Sequence, residues 1–419
     1  MRPLAALLIL AALAGGCGHR ERSNPFDPGN PSTRGVPANF AAFAERGAVS
    51  LEWTPASNAA LLGYLLYRSL TPDTGYVAIS NQLSPGTAQF HDVGLLDGVD
   101  HYYRLHYVFD SGASPRFAAD VATPGAIRPW VSDYDAPALD RVTADGRRVA
   151  EAIPQAISYS AGELDVNTAT GVVWVCDPYA GTVNRYDPST GLVAPTTRVF
   201  STPVSIAVDV ADGGAWVGDS DLQDVFHLDD TGAPVPPLLG SMDGPYGLAV
   251  DPNDRSVWAC ERFGSRVRHV ALDGTSIGPG VTYVVAPSRV VVDSANGDAW
   301  VSAYSRGTIV RVSKTGARLD SVTSITGPLG MAMDARRGRL WVGDPVAGHV
   351  VALRRNGTTE FVVGGLGGAY DLAVDLASGD CWVTVQDAHF VARVSTAGVV
   401  TRRLGGFVTP YAIALDPGP

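Results

Sequence analysis

The chain has 419 residues, a net charge of −11, 47 glycines and 29 prolines, and Lys314 is its only lysine among 31 basic residues. That length points to more than one domain, and the composition is that of a globular protein with many turns. An acidic chain without a basic stripe excludes nucleic acid as the expected partner, and the charge speaks to solubility rather than to fold.

Arg2 is followed by an apolar run from Leu4 to Leu13 and then by Ala14-Gly15-Gly16-Cys17. The run is too short for a membrane-spanning helix, which takes about 20 residues. Together these features resemble a bacterial lipoprotein signal peptide over residues 1–16. The resemblance implies cleavage before Cys17, lipidation of that cysteine and a membrane-anchored place in the cell envelope, and Gly18 after it implies the outer membrane. Residues 17–35 form the next segment, in which Pro25, Pro28 and Pro31 predict an extended linker at about 3.1 Å per residue.

From 36 to 123 the pattern is one of short alternating strands. Val49-Ser50-Leu51-Glu52-Trp53 alternates and stops at Thr54-Pro55; Gly63 to Arg68 and Tyr102 to Leu105 read as further strands. With Trp53, the Tyr64 to Arg68 strand and the Leu96, Gly98, Tyr102 grouping, the stretch resembles a fibronectin type III domain. The resemblance makes Trp53 a core residue and Tyr102 a corner tyrosine bonded to backbone.

Thr123 to Ala126 reads as a linker, and 127–419 carries a repeat. Trp130, Trp174, Trp216, Trp258, Trp300, Trp341 and Trp382 recur at intervals of roughly 41 to 44 residues. From Trp174 onward each follows a short apolar run closed by an aspartate: Asp165, Asp209, Asp251, Asp293, Asp334 and Asp375. β-Branched runs without helical periodicity predict an all-β fold, one propeller blade of four antiparallel strands per repeat. Trp130 lacks the apolar strand before it, and the missing piece stands at the other end as Pro410 to Asp416. The count therefore predicts seven blades closed by pairing of terminal strands in one blade, which removes the open edge. The Pro245-Tyr246-Gly247-Leu248-Ala249-Val250-Asp251 unit is similar to NHL-repeat and streptogramin-lyase-like propellers. That likeness implies a fold whose members include lactonases, lyases and binding scaffolds.

Three classes of residue fall on the face where such loops converge. Asp133, Asp177, Asp219, Glu261 and Asp344 each stand three residues after a repeat Trp. They are candidates for a hard cation such as Ca or Mg, but acceptance of backbone N–H bonds in their own turns is the favoured reading because it explains the repetition unit by unit. Glu163, Arg289 and Asp371 replace small residues in the first strands, where a charge must be paired, solvated or set against a ligand. Tyr159, Tyr246, Tyr370 and Tyr411 stand beside them and offer flat faces with polar tips, suited to sugar or peptide or to packing. Cys176, Cys260 and Cys381 occupy small-residue positions and read as buried thiols.

No metalloprotease, nucleophile-elbow or phosphate-loop motif is present, and the first strands carry no histidine. No catalytic residue is therefore assigned. The expected function is that of a lipid-anchored envelope binding or scaffolding protein for protein, peptide or carbohydrate ligands. The alternative is a metal-assisted lactonase or lyase of the gluconolactonase or streptogramin lyase type.

Overall fold

The computed structural model describes residues 23–125, 128–136, 138–147, 149–153, 157 and 162–416. The predicted signal segment, Cys17 and Tyr159 lie outside them. The chain divides into two compact units, one of residues up to 42, 51–90 and 102–121, the other of 43–50, 91–101 and 122 onward.

Seven strands precede residue 123: β1 (Ala38–Glu45), β2 (Ala48–Thr54), β3 (Gly63–Ser69), β4 (Val77–Ala78), β5 (Gln89–Val93), β6 (His101–Phe109) and β7 (Gly112–Ala122). They form one sheet in the order β1-β2-β5 and another in the order β4-β3-β6-β7. Alternation drives this arrangement, since every second side chain of β2 and β6 is buried. Trp53 is 4% exposed, and its ring lies 5.5 Å from that of Tyr64 on the other sheet. Hydroxyl-to-backbone bonds are made by Tyr64, which accepts from Ala56 N at 2.8 Å, and by Tyr107, which donates to Val36 O at 3.1 Å.

The predicted extended linker is corrected over its described part. Residues 24–36 fold into successive turns, with Asn30 N bonded to Asp27 O and Arg34 N to Asn30 O. The Asn30 amide also donates to Asn24 O, and Phe26 packs edge-on against Tyr107 at 4.8 Å and Phe109 at 4.9 Å. Asn and Asp side chains that accept from nearby backbone N–H groups turn the segment back on itself.

The second unit carries seven small antiparallel sheets among the described residues. Strands β8 to β10 span Arg128–Asp133, Ala138–Val142 and Val149–Ile153, and β11 to β14 span Leu164–Val166, Val173–Asp177, Thr182–Asp187 and Leu192–Pro195. Next come β15 to β18 (Pro203–Val208, Ala215–Asp219, Asp224–Leu228, Pro234–Leu238) and β19 to β21 (Pro245–Val250, Val257–Glu261, Arg266–Val270). They are followed by β22 to β25 (Arg289–Asp293, Asp298–Ala303, Thr308–Val312, Arg318–Val322) and β26 to β29 (Met331–Asp334, Arg339–Asp344, His349–Arg354, Thr359–Gly364). The last are β30 to β33 (Ala369–Val374, Cys381–Val385, Phe390–Val394, Val400–Gly405) and β34 (Pro410–Asp416).

Each group from β11 on is one sheet in sequence order, whereas the β8 group runs β10-β9-β8-β34. Its last strand comes from the far end of the chain and pairs Ala414 with Trp130 and Asp416 with Arg128. The expectation of four strands per sheet fails once, in β19-β20-β21. There only single bridges, Val267 to Val281 and Val270 to Ser276, continue the ladder. Gly278-Pro279-Gly280 accounts for the break, because proline has no N–H to donate and glycine resists extended pairing.

The repeat tryptophans explain why the sheets assemble. Each packs into the gap toward the next sheet: Trp130 clusters with Leu164 and Val175, Trp174 with Ile206 and Val217, Trp258 with Val290 and Val301. Trp382 packs against Val131 and Ile413, so the sheet of β30 to β33 meets the sheet that pairs β8 with β34. Opposite each indole the third strand places a cation or an imidazole. Arg185 lies 5.1 Å from the Trp174 ring, and His227 and His269 stack on Trp216 and Trp258 at 4.3 and 4.0 Å. Only Trp341 breaks the rule, with Ala352 opposite and Arg339 reaching across at 5.3 Å.

Two residues after the Trp, the small side chain meets the next sheet. Ser132 and Thr384 donate to Gly162 O and Tyr411 O at 2.8 and 2.9 Å. At Gly218 and Gly343 an added Cβ would lie 2.5 Å from Pro245 O and 2.7 Å from Ala369 O. The first strands touch in a cycle, β34 to β11, β15, β19, β22, β26, β30 and again β34.

Candidate functional site

Where first strands come this close, side chains must be small. A Cβ on Gly247 would stand 3.0 Å from Arg289 Cα, and one on Gly330 would stand 2.3 Å from Tyr370 O and 2.7 Å from Asp371 Cα. Glycine on β19 thus makes room for Arg289 on β22. Gly330, just before β26, does the same for Asp371 on β30. The charges that break the small-residue pattern sit beside the residues that yield space to them.

Glu163, just before β11, and Arg289 form an ion pair across 126 residues of sequence. Arg289 also donates to Tyr246 O at 3.4 Å. Asp371 accepts from Ile413 N at 3.0 Å, while its own N–H donates to the Thr384 hydroxyl at 3.0 Å. Burial pushes the Glu163 carboxyl up to about 7; Arg289 opposes the rise and Asp371 adds to it. Burial likewise raises Asp371, against the pull of Arg289, and lifts Asp165 to about 6 against bonds from Val208 and Val166 N–H. Burial alone would lower the Arg289 guanidinium, but Glu163 reverses this and holds it charged.

Two cavities meet at this pair. One, of about 310 Å³, opens among the loops and is lined by Tyr134, Tyr179, Tyr246, Tyr370, Tyr411 and Arg262 above Glu163 and Arg289. The other, of about 130 Å³, lies among the first strands and adds Ser205 and Asp371 to the same pair. The tyrosines form a wall, Tyr370 with its ring 4.7 Å from Tyr411 and Tyr411 stacked at 5.3 Å on Tyr134. The Tyr134 hydroxyl donates to that of Tyr179 at 3.1 Å. Burial raises the phenols of Tyr370 and Tyr411 above their ordinary value, so both remain donors at neutral pH.

The structure therefore gathers Glu163, Arg289, Tyr246, Tyr370 and Tyr411 around one cavity and Asp371 beside it. Sequence reasoning missed Tyr134, Tyr179 and Arg262. All three lie four or five residues after a repeat Trp, in the loop that follows its strand, and that fixed offset was the available signal.

The five carboxylates proposed for a cation are not brought together; no group of three or more His, Cys, Asp or Glu side chains that could hold a metal ion occurs among the described residues. Each is turned into its own sheet. Asp133 accepts from Val408 and Thr409 N at 2.6 and 2.7 Å, Asp219 from Ser201 and Thr202 N, and Asp344 from Thr326 and Gly327 N. Asp177 accepts from Ala180 N at 3.0 Å, and Glu261 holds Arg266 and Arg268. Their common task is to fasten the loop that enters or follows the strands of their own sheet. Cys176, Cys260 and Cys381 are free and buried, and burial raises all three thiols.

No family model matches the chain, and no curated protein matches it. Among solved structures it is similar to a streptogramin B lyase, at 15% identity and a TM-score of 0.53 over 68% of this chain and 91% of that one. It is also similar to virginiamycin B lyase from Staphylococcus aureus, at 16% identity and a TM-score of 0.52 over 60% and 87%. A functionally unknown protein from Desulfotomaculum acetoxidans DSM 771 aligns at 13% identity and a TM-score of 0.60 over 70% and 99%. The likeness is one of fold alone and supports a β-propeller.

Proposed function

We propose that this chain is a lipid-anchored protein of the bacterial cell envelope, held at the outer membrane through Cys17, whose propeller binds a ligand in the tyrosine-lined mouth above Glu163 and Arg289. The observation that carries the reading is the convergence of five tyrosines and a buried ion pair, from five different sheets, on one cavity of about 310 Å³. Concave sites with an apolar wall and few convergent polar groups are where small ligands and peptide ends bind. The seven sheets, with β34 paired to β8, support a seven-bladed ring clasped by its two ends. The sheet orders β1-β2-β5 and β4-β3-β6-β7 support a fibronectin type III module between anchor and propeller.

Lactonase or lyase activity would draw on the fold alone, and identities near 15% carry no residue role to this chain. The binding reading is tested by screening the purified chain against peptide and glycan arrays. Binding that is lost in Tyr179→Ala and Tyr246→Ala supports it; arrays on which wild type and both variants are equally silent would sink it. Anchoring is tested by metabolic labelling with palmitate, which should be abolished by Cys17→Ser.

A further inference from the structure

The mouth holds more cation than anion. Among the described residues Arg262 and Arg289 line it against Glu163 as the one carboxylate, while the hydroxyls of Thr202 and Tyr134 already donate to Asp221 and Tyr179. Arg289 already holds Glu163, whereas Arg262 forms no ion pair among the described residues and lies 5.0 Å over the Tyr246 ring. In a chain of net charge −11, this one cavity offers two guanidiniums to a single acid. Between the polar groups the walls are flat and apolar, made of the stacked Tyr134 and Tyr411 with Pro178, Pro203, Val204 and Leu329. Phe263, 62% exposed, extends that surface outward by packing edge-on against Tyr246 at 5.6 Å. A cavity of about 310 Å³ has room for one ring and a short arm.

We propose that the mouth recognises a carboxylate carried next to an aromatic ring, either the C-terminal acid of a peptide ending in an aromatic residue or a free arylalkanoic acid. The proposal rests on the mouth being a ligand site, as argued above. The ring lies on the tyrosine wall, and the carboxylate takes guanidinium N–H donors from Arg262 and Arg289. In reaching Arg289 it competes with Glu163. That acid is poised near pH 7 by burial and is then left beside a second negative charge with less of its partner. Binding therefore draws one proton from solvent onto Glu163, and affinity falls as pH rises above 7.

The test is calorimetry on the full chain with N-acetyl-Gly-Phe as free acid and as amide, and with 3-phenylpropanoate and 3-phenylpropanol, in buffers of differing ionisation enthalpy at pH 6 to 8. The free acids should bind at least tenfold more tightly than the amide or alcohol, with proton uptake at pH 8 and a loss of up to about tenfold per pH unit above 7. Arg262→Gln and Arg289→Gln should bring the acid-to-amide ratio near one. Arg262 is a half-exposed loop residue, so its variant keeps the test open if the other fails to fold. Glu163→Gln should keep the preference but lose the pH dependence. A stronger peptide acid assigns the peptide source, and a stronger phenylpropanoate the small acid. Amide binding as well as acid overturns the carboxylate inference while leaving the mouth a site; silence of all four probes overturns the inference, and the array screen then judges the mouth separately.

Discussion

Asp133→Ala tests whether β34 is fastened to β8 within one sheet. The Asp133 carboxylate, 2% exposed, accepts from Val408 and Thr409 N at 2.6 and 2.7 Å, and these residues lead straight into β34. A charged acceptor for a backbone N–H contributes about 1.5–3 kcal/mol, and two would give about 3–6 kcal/mol. Because Val408 is 48% exposed, water replaces part of what is lost. A cost of about 3 kcal/mol remains. For a unit of roughly 300 residues, unfolding entropy near 2.1 cal/mol/K per residue makes this a fall in Tm of about 5 °C. Asp344→Ala removes acceptors from Thr326 and Gly327 and should lower Tm by a similar amount. The two differ in where they open the molecule. Hydrogen exchange should rise at 408–416 and 128–133 in the first variant, and at 326–331 in the second. Unchanged protection of β34 in Asp133→Ala, with Tm within about 1 °C of wild type, would refute the reasoning.

Further outcomes follow from the packing and the buried charges. Glu163 ordinarily titrates near 4.5 and here near 7, so between those values the folded chain keeps a proton that the unfolded chain has released. Its contribution to stability falls as pH rises through that window. The stability of Glu163→Gln relative to wild type should therefore improve from pH 5 to pH 8 in denaturant titrations, and a flat difference argues against a raised carboxyl. His269 stacks on Trp258 and also bonds Lys314 O and the Ser256 hydroxyl, whereas His227 has the stack on Trp216 with no hydrogen-bond partner for its ring nitrogens among the described residues. His269→Ala should cost about 2–3 kcal/mol and His227→Ala about 1 kcal/mol by chemical unfolding; equal losses would discount the bonds. In a Cys17→Ser chain, none of Cys176, Cys260 and Cys381 should react with a thiol reagent at pH 8 until denaturant is added.

The propeller was legible because its core is periodic. An indole that fills the gap between sheets recurs once per sheet, and the aspartate-closed strand recurs with it, so spacing alone predicted the units. Departures were legible for the same reason: Glu163, Arg289 and Asp371 stood out against small residues. Their partners were not, because the Glu163 to Arg289 pair joins residues of two different sheets, far apart in sequence, that only folding brings together. The carboxylates after each Trp show the limit of pattern. Repetition suggested a shared cation, yet each acid serves its own sheet, and a recurring local duty produces the same sequence signal as a converging one. Residues 24–36 misled through composition, since proline predicts stiffness whereas the folding-back depends on the backbone N–H groups from which the Asn24 and Asp27 side chains accept and on the Asn24 carbonyl to which the Asn30 amide donates.

The charged first-strand positions are coupled to their neighbours, and this bears on whether they are drift or design. Most first strands carry Gly, Ala or Ser four residues before the closing aspartate, because the adjacent backbone lies within Cβ contact. Arg289 and Asp371 occupy that position on strands whose preceding neighbours are Gly247 and Gly330, the two sites where an added Cβ would meet the very residues that carry the charge. The backbone that carries each charge thus lies so close that the preceding strand has no room for a Cβ. Restoring bulk should unseat the charge without touching it. Gly247→Ala should displace β22, weaken the Arg289 to Glu163 pair and bring the Glu163 carboxyl still higher, because burial persists while its cation withdraws. Titration of Glu163 followed by NMR in that variant distinguishes the cases: a carboxyl unmoved from its wild-type midpoint would mean that the glycine is incidental, and the arginine's seat is set by β22 alone.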